Sequence, residues 1–270
     1  MKAAVRAEQG TKEPHVSPGV MRVFAAYSRR YLRRHFHGFR ILQSGLPQCD
    51  STRPLVIYLN HAAWWDPLVC LLLSREILPG RTGFAPIDAP MLERYGFFKH
   101  LGFFPVEQET VRGARQFLRH THAILASPQN AVWLTPQGRF MDVRERPLRL
   151  QAGLGALAAR EPSATFIPLA IEYAFWTEPR PEILVTFGEP IVPATEATRS
   201  PAEWTRVFTE SLESTQDDLA ARSCRRDPAD WRMLNRGQSG VSGIYDAWRW
   251  LRARMRGENF SREHQAEDSR

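Results

Sequence analysis

The chain has 270 residues, 43% of them hydrophobic, which suits one large α/β domain or two small ones with a substantial core. Its net charge of +7, carried almost entirely by arginine, leaves nucleic acid, anionic lipid and a phosphate-bearing substrate all open. No run approaches the ~18 apolar residues of a membrane span, and the first residues lack the apolar segment of a signal peptide.

Three scattered cysteines, Cys49, Cys70 and Cys224, give neither a disulfide framework nor a metal-ligand spacing. A reducing, cytoplasmic compartment is expected. Residues 1–16 are polar and patternless, and are expected to be disordered. Residues 17–37 then read as a basic amphipathic helix, with Ser17 as cap and Pro18 as first helical residue. Val20, Phe24, Tyr27 and Tyr31 recur at helical spacing, and Arg29, Arg30, Arg33 and Arg34 lie largely off that stripe. Such a helix either lies in a membrane interface or packs on the domain with its basic face in water.

A domain is expected over 38–222. Its first strand runs over 39–43 and a second, buried one over 54–59. The loop Asn60-His61-Ala62-Ala63-Trp64-Trp65-Asp66 follows, and then a leucine-rich helix. Further strands are expected at 82–87, 102–106, 131–134, 165–173 and 182–187. Helices are expected at 91–100, 110–125, 150–159 and 201–221. Strands alternating with helices predict an α/β fold, a mixed and largely buried sheet flanked by helices. After residue 222 the composition turns polar and glycine-punctuated. Ile244, Trp248, Leu251 and Met255 then repeat at helical spacing beside Arg249, Arg252 and Arg256. Residues 223–257 are therefore read as a helical extension carrying a second basic amphipathic helix, either interfacial or docked, and 258–270 as a disordered tail. Internal repeats and low-complexity segments are lacking.

The loop between a strand's end and a helix's start is where α/β folds hold ligand-handling groups. A histidine there, steadied by a carboxylate five residues on, is suited to general-base work. The bland reading is a surface histidine beside a helix cap, because Asp66-Pro67 also fits cap and first helical residue.

The Asn-His-x-x-x-x-Asp block resembles the first motif of the glycerolipid acyltransferases of the 1-acylglycerol-3-phosphate acyltransferase type. Three more blocks follow in that family's order. Gly102-Phe103-Phe104-Pro105-Val106-Glu107 resembles the second motif, Pro136-Gln137-Gly138 the third and Phe166-Ile167-Pro168-Leu169-Ala170 the fourth; Thr186-Phe187-Gly188-Glu189-Pro190-Ile191 is similar to a late strand and turn. The likeness spans roughly residues 38–192. It implies a glycerol-3-phosphate acyltransferase-like fold. It also implies transfer of an acyl group from acyl-CoA or acyl-carrier protein to a lipid hydroxyl in phospholipid or glycolipid biosynthesis. His61 would be the general base and Asp66 its orienter. Substrate would be bound by Asn60, Pro136, Gln137, Gly138, Arg139, Arg144 and Arg146. Neither a metal nor a cofactor beyond the thioester co-substrate is implied. The implied partner surface is an anionic membrane, at the inner face of the cell membrane, rather than nucleic acid.

The chain departs from the family where Gln108 follows Glu107, in place of an arginine, and where Gln137 and Arg139-Phe140 stand for Glu and Thr-Arg. This shifts the expected acceptor pocket from a charged clamp toward a neutral, hydrogen-bonding one. Arg112, Arg115, Arg139, Arg144 or Arg146 would replace the lost charge, bind the carrier's phosphates, or face solvent. The alternative reading of the whole chain is a catalytically inactive lipid-binding or scaffold protein of the same fold. The pairs His35/His37 and His120/His122 lack a ligand set and are read as surface histidines.

Overall fold

Several strand runs are apolar at successive positions rather than alternately, which is what a sheet covered on both faces requires. A computed structural model describes residues 14–47, 49–238 and 255. It contains helix α1 (Pro18–His35), strands β1 (Gly38–Leu42) and β2 (Leu55–Leu59), helix α2 (Asp66–Glu76), β3 (Thr82–Asp88), α3 (Ala89–Arg94) and β4 (Phe103–Val106). Then come α4 (Val111–Leu125), β5 (Asn130–Leu134), α5 (Gly153–Arg160), β6 (Thr165–Ala174), β7 (Glu182–Phe187), α6 (Pro201–Arg225) and β8 (Trp231–Arg236). The eight strands form one mixed sheet in the order β4-β3-β5-β2-β6-β7-β1-β8.

β2 to β6 are mutually parallel, β7 and β1 run the other way, and β8 is antiparallel to β1. Every residue of β1, β2, β5 and β7 is buried. The period of two along β2 divides the core. Leu55, Ile57 and Leu59 pack with Leu32 of α1 and Leu68, Val69, Leu72 and Leu73 of α2. Val56 and Tyr58 face α4, α5 and α6 through Ile124, Leu157 and Phe208. Gly155 allows α5 and α6 to touch, since a Cβ there would lie 2.0 Å from the Pro201 carbonyl oxygen. α6 begins with a capping box between Ser200 and Glu203.

Some expectations change. Val16 forms a bridge with Leu101, so the ordered chain begins before residue 17. On α1 the buried side is Ala25, Ser28 and Leu32, whereas Val20 and Tyr27 face outward. The single helix expected over 91–100 is broken at Gly96 into α3 and a 3-10 turn, Gly96–His100. α6 extends to Arg225, and residues 231–236, read as polar linker, form edge strand β8. His37 is buried against Glu182 rather than at the surface, and His35 packs on Tyr31 and Trp65. The calls on residues 1–13, on the helix at 244–257 apart from Met255, and on the tail at 258–270 lie outside the described residues. Among the described residues no helix is long and apolar enough to cross a membrane.

Candidate active site

The carboxyl ends of parallel strands are where open α/β sheets bind ligands, and here β2 delivers Asn60 and His61 to that edge. The Asn60 amide sits beyond the last residue of β2 and continues its pairing with β6. Its Nδ2 donates to the Ile171 carbonyl and its Oδ1 accepts from the Ile171 N–H, both at 2.9 Å. Asn60 is 2% exposed, so it fixes the level of the neighbouring histidine rather than meeting a substrate as expected.

His61 is held from both sides by the loop after β5. Its N–H donates to Gln137 Oε1 at 2.9 Å, and its carbonyl accepts from the Met141 N–H at 2.9 Å. Gly138 has φ 71°, a left-handed conformation, and a Cβ there would strike the Gln151 side chain. Gln151 in turn donates its N–H to the Pro136 carbonyl at 2.8 Å, closing the loop. The Phe140 ring lies 4.2 Å from the His61 ring, centroid to centroid.

Nδ1 of His61 is 2.7 Å from Oδ2 of Asp66. Asp66 is 1% exposed and opens α2 as a helical residue; Trp65 occupies the cap position, so Asp66 is not the helix cap. Its carboxylate faces three donors. Oδ2 accepts from the Ala63 N–H at 3.1 Å as well as from His61, and Oδ1 accepts from the Tyr173 hydroxyl at 2.6 Å. Burial first, and then the adjacent Asp66 charge, push the Tyr173 hydroxyl well above its ordinary range. The same two causes raise the Cys70 thiol. Both stay neutral beside the Asp66 carboxylate. Since Asp66 accepts at Nδ1, that nitrogen carries the ring proton and Nε2 presents its lone pair. Nε2 has no hydrogen-bond partner among the described residues, and His61 lines a cavity of ≈ 1530 Å³.

That cavity is largely apolar. It runs beside α2 and β3 and is bordered by Phe24 and Tyr27 of α1 and by Phe97 and Phe103. Pro136 and Gly138 also line it, while Gln137 stands behind His61. The three expected arginines are not brought there. Arg139 is exposed, Arg144 pairs with Asp142, and Arg146 reaches Asp217 of α6. Arg112 pairs with Glu107 at 3.7 Å. Among the described residues no three His, Cys, Asp or Glu side chains gather as a metal site. Compared with protein-family models and with curated proteins, the chain matches none.

Tyr173 was missed from the sequence. The available signal was its place at the polar end of an otherwise apolar strand run, next in the sheet to the strand that delivers His61.

Proposed function

We propose that the protein is an O-acyltransferase of the glycerolipid-acyltransferase type, working at a membrane surface. It takes an acyl group from coenzyme A or an acyl carrier protein and gives it to a hydroxyl of a lipid-like acceptor. The observation that carries this reading is His61 Nε2, unpartnered among the described residues, on a ring backed by Asp66 and Tyr173 and bordering a large apolar cavity. Nε2 takes the acceptor's hydroxyl proton as its oxygen attacks the thioester carbonyl carbon. Asp66 stabilises the imidazolium so formed. The tetrahedral adduct then collapses with cleavage of the C–S bond, the proton passes from Nε2 to the departing thiolate, and an ester and a free thiol result. The acceptor oxygen is itself the nucleophile.

Gln137 holds the His61 backbone and Arg139, Arg144 and Arg146 stand away from the cavity, so none of these supplies a charged clamp on the acceptor; the arginines that do border the cavity are Arg22, Arg75 and Arg81. Membrane attachment is supported by the outer side of α1. Val20, Val23 and Tyr27 are exposed there, and the helix carries Arg22, Arg29, Arg30, Arg33 and Arg34 with no acidic residue. Exposed Trp64 and Phe97 continue that apolar rim around the cavity. The test is incubation of the chain with isotope-labelled acyl-CoA or acyl carrier protein and anionic vesicles holding a panel of hydroxyl lipids. Mass spectrometry should find a labelled ester and an equal amount of free thiol. Thioester hydrolysis alone, whatever the lipid, would contradict the proposal.

A further inference from the structure

Polar groups interrupt the apolar channel at several points, one of them where α2, β3 and β5 meet. Gly83 of β3, Ser74 of α2 and Trp133 of β5 all line the cavity. A Cβ built on Gly83 would stand 3.2 Å from Ser74 Oγ and 3.2 Å from Trp133 Nε1. The bare glycine thus opens a gap bounded by a hydroxyl and an indole N–H. Neither atom has a hydrogen-bond partner among the described residues, although Trp133 is only 6% exposed. The indole N–H opens onto the cavity rather than being sealed among side chains, and an acceptor supplied from within the channel would satisfy it.

We propose that this gap is a hydroxyl-selective subsite, so that the preferred acyl chain carries a hydroxyl group in its middle or distal part. The inference rests on the acyl-transfer reading for the class of ligand. The ligand oxygen accepts from Trp133 Nε1–H, and its own O–H donates a hydrogen bond to Ser74 Oγ. The position along the chain follows from the fold. Ser74 lies eight residues along α2 from Asp66, about 12 Å at the helical rise. Gly83 is level with Leu55 through Ala131, six residues before His61, or about 20 Å at the strand rise. A hydroxyl near the thioester does not reach the gap; one far along the chain does.

The test is displacement of a fluorescent fatty acid from the full chain by stearate and by hydroxystearates with the hydroxyl moved along the chain. At least one distal isomer should bind about fivefold more tightly than stearate, the effect of one satisfied hydrogen bond. Trp133→Phe and Ser74→Ala should each shrink that preference while leaving stearate binding in place. Gly83→Ala, which fills the gap, should abolish it. Ser74→Ala changes a half-buried hydroxyl and keeps the test decisive should Trp133→Phe not fold. Equal or tighter binding of stearate than of every isomer, a preference untouched by Ser74→Ala and Gly83→Ala, or no displacement at all overturns the subsite. Thioester turnover is assayed separately. A hydroxyl preference without turnover keeps the subsite and defeats the transfer reading; turnover without the preference does the reverse.

Discussion

Replacing Asp66 by asparagine changes a charge and almost nothing else. The amide oxygen can take the place of Oδ2, still accepting from His61 and Ala63, and the new Nδ2–H then faces the Tyr173 hydroxyl oxygen, which can accept. The fold and the ring tautomer should survive. What is lost is the attraction between a buried carboxylate and the imidazolium that forms during proton transfer. With Oδ2 2.7 Å from Nδ1, the two charges are centred roughly 4 Å apart, worth about 4 kcal/mol at an effective dielectric near 20. Such a loss corresponds to about a thousandfold in rate. The assay is thiol release from an acyl thioester in the presence of a hydroxyl acceptor, with thermal unfolding as a check on integrity. An Asp66→Asn protein that melts like the parent yet keeps more than about a fifth of its rate would refute the reasoning.

Tyr173→Phe removes one of the three donors to the carboxylate; it should lower stability by about 2 kcal/mol, read by denaturant unfolding, and slow thiol release severalfold. An unchanged unfolding midpoint would count against that hydrogen bond. Glu182 concerns acid stability. Burial pushes its carboxyl up, but hydrogen bonds and charge from His37 and Arg40 outweigh this and hold it below 4.5. Glu182 therefore contributes stability that is present above pH 4.5 and is lost as the pH falls through the depressed folded value. Glu182→Gln should be less stable at neutral pH, with the gap to the parent closing below that point; a gap that widens in acid would reverse the assignment. Val23→Asp, at a side chain 73% exposed, should leave the melting temperature alone and weaken co-sedimentation with anionic vesicles about tenfold, a difference that high salt reduces. Equal sedimentation of the two proteins would remove α1 from the membrane surface.

The strands were legible where both faces are covered, because Leu55–Leu59 and Asn130–Leu134 need no alternation to declare themselves. β8 was not, for a physical reason. As an edge strand it leaves one side to solvent, and Trp231–Arg236 is accordingly half polar and resembles a linker. α1 misled in the opposite sense. Its apolar residues keep helical spacing, yet the stripe is split: Phe24 and Tyr31 pack against the core beside Ala25, Ser28 and Leu32, while Val20 and Tyr27 stay exposed. In the site, His61 and Asp66 are separated by one turn, and that spacing made the pair readable. Tyr173 on β6 and Gln137 in the loop after β5 reach the pair from far along the chain, and only the sheet order brings them together. Asn60 and the arginines beyond residue 138 illustrate the remaining gap. A polar residue near a motif is as readily used for backbone pairing or a local ion pair as for substrate, and spacing alone does not separate these uses.

The central claim is that His61 Nε2 removes the acceptor's proton, and it is tested most directly by single-turnover thiol release with wild-type protein and His61→Ala, at equal loading on the same acceptor-bearing vesicles. The account predicts rapid, acceptor-dependent release in the first and loss of at least about a thousandfold in the second, with vesicle binding unchanged. Equal release from the two proteins would contradict it.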